Sequence, residues 1–422
     1  MSQFRKVIRN KNFFLLWLGQ IISQFGDRLN QMALIAFIFN RAPGSTFELA
    51  KIISITIIPV FVIGPIAGIY VDRWDRRKTM FICDLIRAVL VCSIPFFLID
   101  KNSVVPLYVV VFLVFCIGRF FVPAKMSIIP DLVKKEDLLL ANSLVNTTGM
   151  IAAALGLGIG GILVEIVGVK GGFFIDAATF LISSILIFFV KPHKLLKVQP
   201  KDVLDVSKEI VSVIRESVID DLKSVISFLR NQKHIRRTLD ILFILWAALG
   251  SVYVVIIVFI QGVFTSVVKD LGILAVFLGC GLFFGSLIYG KLGKGLSYFR
   301  MIFISLIFCG LSLLAFTMLS YYLTSFILTS LLAFIVGISA APIMIAVNTL
   351  VHEVTGKEMM GKVFSAIEII VHFAFLIFMF FASAVAERIG QYYMLIIIGV
   401  IICFVGLVGL FKKGDHFFLK RA

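Results

Sequence analysis

Charged residues are scarce in this chain. Asp, Glu, Lys and Arg make up 15% of its 422 residues and hydrophobic residues make up 60%. An ordinary soluble domain carries about 25% charged residues and a much smaller apolar share. The composition therefore excludes an ordinary soluble domain and predicts a protein that lives in a lipid bilayer.

Cysteine is also uncommon, and its placement excludes several kinds of site. The six cysteines all fall inside apolar stretches, and the sequence contains no Cys-x-x-Cys or other metal-ligand spacing. No Gly-rich stretch ends in the Gly-Lys-Ser/Thr that a phosphate-binding loop needs, and nothing resembles a catalytic triad. We therefore expect no metal site, no bound cofactor and no enzymatic activity.

Long apolar runs dominate what is present. A membrane-spanning helix needs about 20 mostly apolar residues, and a backbone exposed to lipid must satisfy its own hydrogen bonds. These runs are too long and too uniformly apolar for barrel strands. The sequence predicts an all-α membrane protein with twelve transmembrane helices at 13–39, 52–71, 79–99, 104–124, 138–164, 171–190, 239–262, 271–289, 299–319, 322–349, 363–385 and 392–411.

The net charge is strongly basic, with 40 Lys and Arg against 24 Asp and Glu. Most of these basic residues lie in the termini and in every second segment between spans, so they fall on one side of the membrane. This distribution is typical of cytoplasmic loops and not of a nucleic-acid interface. The distribution predicts that both termini are cytoplasmic. Basic residues precede the first span and no small-residue cleavage site follows, so we expect the first helix to be retained.

A polar interval over 191–238 divides the chain into two blocks of six spans, 1–190 and 239–422. Apolar residues recur at helical spacing from Val211 to Leu229, which predicts an amphipathic linker helix. Two positions fit this helix: the surface of the anionic inner leaflet, or a site packed against the two bundles.

The two blocks echo each other in sequence. The Gly64-x-x-x-Gly68 pattern of the first block recurs as Gly281-x-x-x-Gly285 in the second. Such an internal repeat is typical of transporters built from two pseudo-symmetric bundles.

The loop between the second and third predicted spans carries the most specific motif. It matches the pattern Gly-x-x-x-Asp-Arg-x-Gly-Arg-(Arg/Lys), with an aspartate where the last glycine is usual, through Gly68, Asp72, Arg73, Asp75, Arg76 and Arg77. The motif resembles the corresponding loop of major facilitator superfamily transporters. The resemblance implies a conformational latch on the cytoplasmic side.

Charged residues in the neighbouring spans are expected to join this latch. Asp84 and Arg87 in the third span and Arg119 in the fourth lie a turn or two from the predicted cytoplasmic edge. A network of this kind shifts populations between conformations when it is broken. The alternative is that the basic residues of the loop serve only to orient the chain in the membrane.

The first span carries charges near its centre, Asp27 and Arg28, beside Gly26. A charge at this depth costs at least about 2.5–3.5 kcal/mol on insertion scales. The functional interpretation is a carboxylate that lines a water-filled cavity, with Gln31 one turn away, and that exchanges a proton or contacts a cationic substrate. The alternative is a structural ion pair. The Gly-Asp-Arg triplet also resembles ferroportin-type metal exporters, but Gln31 stands where those proteins have histidine.

Two further spans carry polar candidates. Glu368 and His372 lie one turn apart on the eleventh span, so they share a face and are a candidate proton relay or a packed hydrogen-bonded pair. Asp176 lies near the start of the sixth span, where we expect a structural residue close to the outer edge.

The fifth span is rich in glycine, at Gly156, Gly158, Gly160 and Gly161. This segment resembles the Gly-Pro-x-x-Gly-Gly motif of antiporters in the superfamily, with Leu157 in place of the proline. Glycines let helices approach closely, so we expect these residues at a sliding interface between the bundles.

Five segments together resemble the macrolide-efflux and enterobactin-exporter branch of the superfamily: 26–27, 64–78, 123–133, 228–231 and 361–364. The resemblance implies a monomeric exporter in the bacterial inner membrane. It would move an amphipathic small molecule such as a drug or a siderophore, driven by the proton gradient through alternating access. The alternatives are a lysophospholipid or lipid flippase, a ferroportin-like divalent metal exporter, and a membrane sensor or scaffold that transports nothing.

Overall fold

The computed structural model describes residues 2–64, 67, 70–71, 74–97, 104–191, 233–264, 266, 268–292, 297–354 and 360–411. Within these ranges all regular secondary structure is helical. The all-α fold that the sequence predicts is therefore confirmed.

The helices of the N-terminal half are α1 (Ser2–Ile8), α2 (Lys11–Arg41), α3 (Thr46–Ile57), α4 (Pro59–Val62), α5 (Arg76–Phe97), α6 (Val105–Leu132) and α7 (Leu138–Phe188). Those of the C-terminal half are α8 (Lys233–Val263), α9 (Lys269–Leu292), α10 (Tyr298–Leu323), α11 (Phe326–Val354), α12 (Met360–Ile389) and α13 (Gln391–Phe411).

Nine helices in the described part of the chain are long and apolar enough to cross a membrane. One of them, α7, contains both the fifth and the sixth predicted spans, joined at Gly168 with φ 76° and ψ 172°. This backbone conformation is open almost only to glycine, so a single residue replaces the loop expected between the two spans. Helix α2 covers the first predicted span, and α3 and α4 begin the second.

The chain folds into two compact units. Unit 1 comprises Met1–Phe37 and Lys51–Leu222, and unit 2 comprises Ile38–Ala50 and Lys223–Ala422. The predicted linker lies outside the described residues over 192–232, so its amphipathic helix stays a prediction.

Unit 2 includes one segment, Ile38–Ala50, that falls within the predicted N-terminal bundle 1–190. The reason is a set of hydrogen bonds to α12 and α13. Thr46 Oγ1 donates to the carbonyl oxygen of Ser383 at 2.9 Å, and Gln391 Nε2 donates to the carbonyl of Gly44 at 2.9 Å.

The two units repeat the same helix pairings. In unit 1, α4 packs on α6 and α5 packs on α7, and in unit 2, α9 packs on α11 and α10 packs on α13. Gly281 explains one of these pairs, because a Cβ added to it would overlap the carbonyl of Phe334 in α11, whereas a Cβ added to Gly64 would meet nothing within 4 Å. The predicted pseudo-symmetry is therefore present in the pairing of the helices.

One end of unit 1 is held together by buried apolar side chains and by α1. Phe13 and Leu16 of α2 are fully buried in the core cluster at this end. Lys6 of α1 lies 2.9 Å from Glu136 Oε1, and this hydrogen bond raises the pKa of the lysine above its ordinary value. The short α1 is thereby attached to the turn that precedes α7.

Candidate functional site

The polar centre of unit 1 is an ion pair between α2 and α5. Arg87 Nη2 donates to Asp27 Oδ1. The arginine side chain is 8% exposed and the aspartate side chain is 37% exposed. Charges inside a span are expected to have such a partner. The sequence predicts that Arg87 belongs to a charge network at the latch, and the structure shows Asp27 as its hydrogen-bonded partner. A link to the latch stays a prediction, because Asp72 and Arg73 lie outside the described residues.

A second carboxylate, Asp84, lies one turn before Arg87 on α5. Its Oδ1 is 3.5 Å from Arg87 Nη1, and its Oδ2 accepts a hydrogen bond of 2.6 Å from Ser183 Oγ of α7. The Asp84 side chain is 0% exposed. The structure thus places Asp84, predicted as a latch residue, in the same buried cluster as Arg87.

A third carboxylate, Asp176 of α7, completes the cluster. It is fully buried, and its Oδ2 accepts a hydrogen bond of 2.6 Å from Asn30 Nδ2. A Cβ added to Gly26 would overlap Asp176 Oδ1. The expectation that Asp176 lies close to the outer edge is wrong, because it reaches the middle of α2. Eight residues of helix after the tight turn at Gly168 carry it about 12 Å along the axis.

The guanidinium of Arg87 is enclosed by apolar groups as well as by carboxylates. Its Cζ lies 3.8 Å from the centroid of the Phe180 ring, a cation–π arrangement. A Cβ added to Gly118 of α6 would stand 3.8 Å from the same atom. Lys125 of α6 is also buried. We call Asp27, Asp84, Arg87 and Asp176 the Arg87 cluster.

Arg28 and Gln31 lie outside the Arg87 cluster. Arg28 Nη1 donates to Gln31 Oε1 at 3.1 Å along α2. Adjacent residues point about 100° apart on a helix, and α2 runs without a break through Gly26. The geometry therefore separates Arg28 from Asp27.

The glycines of the fifth span explain how closely α2 approaches α7. A Cβ on Gly156 would lie 3.0 Å from Arg28 Cβ, and one on Gly160 would lie 3.2 Å from Leu29 Cα. Gly158 and Gly161 are buried in the same segment. Gly156 and Gly160 therefore serve the packing of α7 against α2 within unit 1, and a sliding interface between the bundles stays a prediction.

The predicted latch is described only in part. Gly68, Asp72 and Arg73 lie outside the described residues. Asp75 Oδ1 caps the start of α5 by accepting a 3.0 Å hydrogen bond from the Lys78 backbone N–H.

The arginines that follow in the motif bind the ends of two other helices of unit 1. Arg76 Nη1 donates to Asp131 Oδ2 of α6 at 2.7 Å, and Arg77 Nη1 donates to the carbonyl of Val190 at 3.2 Å. Arg119 lies partly buried on α6. The role of these residues as a latch stays a prediction.

In unit 2, Glu368 and His372 meet through the backbone. His372 Nδ1 lies 2.7 Å from the carbonyl oxygen of Glu368, and the imidazole packs 5.5 Å from the Trp246 ring of α8. Glu368 is exposed. Their role as a proton relay stays a prediction.

Over the described ranges, no three His, Cys, Asp or Glu side chains form a group that could hold a metal ion.

Curated relatives include a named efflux protein. Macrolide efflux protein A of Streptococcus pyogenes is 25% identical over 410 residues, which cover 94% of each chain. The uncharacterized MFS-type transporters YkuC and YfiS of Bacillus subtilis (strain 168) are 28% and 27% identical. The matched segments span only 51% and 44% of these two relatives. The resemblance to the macrolide-efflux branch that the sequence indicates is confirmed.

Solved structures share the fold. Peptide transporter POT in complex with sulfate superposes with a TM-score of 0.72 at 15% identity, covering 95% of this chain and 94% of that one. A bacterial homologue of the iron transporter ferroportin in an inward-facing state gives 0.69 at 14%, covering 94% and 98%. At these identities the likeness shows the fold alone.

The profile of the Major Facilitator Superfamily matches residues 16–375, which is most of the chain. The paired helices of the two units and the efflux relative agree with that match. This protein therefore belongs to the Major Facilitator Superfamily and is a multi-pass membrane protein.

Proposed function

We propose that this protein is a proton-coupled exporter of amphipathic small molecules, an antiporter of the bacterial cytoplasmic membrane that works by alternating access. Asp27 is the carboxylate that exchanges a proton for the substrate. The observation that carries the proposal is the unequal burial of the Asp27–Arg87 pair. The aspartate is 37% exposed, whereas its arginine partner is 8% exposed.

A partly exposed carboxylate inside a span can be reached by water and by a ligand, and the buried guanidinium of Arg87 is its counter-ion. Asp84 is 0% exposed, and Asp176 is also 0% exposed. Among the three carboxylates of the Arg87 cluster, Asp27 is therefore the one suited to exchange with solvent.

The distribution of charge along the spans supports an amphipathic substrate. The sequence has no Asp, Glu, Lys or Arg over 241–268, 271–290 or 301–350, so these spans of the C-terminal half are uncharged. In the same half the eleventh predicted span carries Glu368. The many uncharged spans and the partly exposed carboxylate of Asp27 suit a molecule with an apolar body and a polar or cationic group. The match to macrolide efflux protein A over 94% of both chains supports export.

The test is substrate-driven proton flux in proteoliposomes, followed with a pH dye trapped in the lumen. A macrolide, a catecholate siderophore, a lysophospholipid, and Fe²⁺ or Co²⁺ are added in turn to wild type and to Asp27→Asn. We expect a macrolide or siderophore to trigger proton movement in wild type and not in Asp27→Asn.

The matched control is Asp137→Asn, which removes a carboxylate that pairs with Lys6 outside the spans. It should keep the wild-type signal. Substrate movement without proton flux, or an unaltered signal in Asp27→Asn, would overturn the proposal. Flux of the lysophospholipid or of the metal alone would replace it with the flippase or the metal exporter.

A further inference from the structure

Arg87 faces two carboxylates at unequal distances. Its Nη2 is hydrogen-bonded to Asp27 Oδ1, while its Nη1 is 3.5 Å from Asp84 Oδ1. The second distance is longer than an N–H···O hydrogen bond, which is typically about 2.7–3.2 Å. In the structure the guanidinium is therefore hydrogen-bonded to Asp27, and Asp84 lies just beyond hydrogen-bond distance.

Asp84 has an unused acceptor. Its buried Oδ1 accepts no hydrogen bond, although its Oδ2 is held by Ser183 Oγ at 2.6 Å. The buried Nε of Arg87 also lacks a hydrogen-bond partner. Buried polar groups without partners are rare in folded proteins and each one calls for a reason.

The surroundings of the guanidinium allow it to move between the two aspartates. The Phe180 ring lies 3.8 Å from Arg87 Cζ and offers a flat surface. On α6, a Cβ added to Gly118 would stand 3.8 Å from Arg87 Cζ, so the absence of a side chain there leaves space beside the guanidinium. A shift of about half an ångström toward Asp84 would bring Nη1 into hydrogen-bond range.

From this geometry we propose that Asp84 is the second partner of Arg87 and takes over the guanidinium when Asp27 binds a proton or a cationic substrate. The inference rests on the proposed role of Asp27 and adds a positioning residue to it. Asp84 itself touches no substrate. It gives the buried arginine a partner in the state in which Asp27 is neutralised, so that binding at Asp27 leaves no buried charge unpaired.

The titratable groups around Arg87 come from four helices. They are Asp27 of α2, Cys83 and Asp84 of α5, Lys125 of α6 and Asp176 of α7. Asp27 and Asp84 are the two that contact the guanidinium, so they are its two candidate partners.

The test is an infrared titration of the substrate-free protein in detergent, which follows the band of a protonated carboxyl group as the pH falls. Wild type should show a band that Asp27→Asn removes. Asp84→Asn should move the midpoint of the Asp27 band to lower pH by about one unit, a tenfold loss of proton affinity. The reason is that protonation of Asp27 then leaves the buried guanidinium of Arg87 without a carboxylate partner. Asp84→Glu keeps a carboxylate, so its midpoint should lie close to that of the wild type.

The matched control is Asp176→Asn, which removes one negative charge from the same cluster but whose carboxylate is held by Asn30. It should move the midpoint by less than half as much as Asp84→Asn. Equal shifts in the two variants would show a purely electrostatic effect and overturn the transfer. An unchanged midpoint in Asp84→Asn would also overturn it.

Ser183→Ala provides a second route if Asp84→Asn does not fold. Without the serine hydroxyl, Asp84 competes more strongly for Arg87, so the Asp27 midpoint should move to higher pH. A shift to lower pH in Ser183→Ala would contradict the transfer. These titrations need no substrate, so a failed transfer remains distinguishable from a failed proton-coupled export, which only the proteoliposome experiment tests.

Discussion

At the scale of single residues, Arg87 is the side chain on which the polar centre of unit 1 depends. It binds Asp27, lies against the Phe180 ring and stands 3.5 Å from Asp84. Removing one partner of a buried ion pair leaves the other partner as an uncompensated charge in a medium of low dielectric. The arginine therefore stabilises the fold of unit 1 as well as positioning Asp27.

Replacing Arg87 tests this structural role. We expect Arg87→Met to lower the free energy of unfolding by about 3–5 kcal/mol, because Asp27 and Asp84 lose their counter-ion. Thermal unfolding in detergent measures the change. The double variant Arg87→Met/Asp27→Asn should recover part of the loss, because the more exposed carboxylate is no longer charged.

Lys6→Met is the control for Arg87→Met, since its side chain is 52% exposed in an ion pair of the same kind. It should change the stability little. A loss in Arg87→Met no larger than that in Lys6→Met would contradict the structural role.

At the scale of helices, close contact and tight connection both depend on glycine. Gly156 and Gly160 let α7 lie directly against α2. Gly168 reverses the chain between the two halves of α7. Because the turn uses no loop, its geometry determines the level at which Asp176 meets Asn30. The position of one buried carboxylate is thus set by a backbone conformation eight residues away.

Gly168→Ala tests the turn. With φ 76° and ψ 172° at this position, a side chain should strain the backbone by about 1–3 kcal/mol. Thermal unfolding of the purified protein checks the loss. Gly290→Ala is the control, because Gly290 is helical and a Cβ there would meet nothing within 4 Å. Equal stability of the two variants would contradict the strain.

At the scale of the whole molecule, the segment Ile38–Ala50 is the notable feature. It contains the end of α2 and the start of α3, yet it folds with unit 2. Glu387 Oε1 of α12 accepts a 2.6 Å hydrogen bond from Ser45 Oγ and a 3.1 Å bond from the backbone N–H of Phe47. Because unit 2 contains both this segment and α12, the proposed alternating access should carry the two together.

Cross-linking tests whether the segment moves with α12. In a background with the six native cysteines replaced, a short bifunctional thiol reagent should link Ser45→Cys to Glu387→Cys and leave transport intact. The control pair is Ser320→Cys with Thr329→Cys, whose hydroxyl groups are 3.0 Å apart between the adjacent helices α10 and α11. That link should also leave transport intact. Loss of transport in the cross-linked 45–387 pair alone would contradict the joint movement.

Some of the candidate site could be predicted from the sequence. Asp27 was recognised because a charge in the middle of an apolar run needs a reason, and that rule uses one span alone. Arg87 and Asp84 were recognised as charges within a span but were assigned to the cytoplasmic latch. Sequence spacing gives the depth of a residue along its own helix, and it does not give the rotation of that helix toward its neighbours.

The sequence by itself determined the membrane location, the all-helical class, the duplicated organisation and the superfamily. Each of these follows from properties that are local to one segment or repeated along the chain, since a helix in lipid satisfies its own backbone hydrogen bonds. Only the tertiary structure decided which charges meet. Asp27 and Arg87 are 60 residues apart, Asp84 and Ser183 are 99 apart, and Asn30 and Asp176 are 146 apart. Such contacts depend on how the packed helices are rotated and shifted against one another, and this arrangement is set by the close packing of all their side chains together.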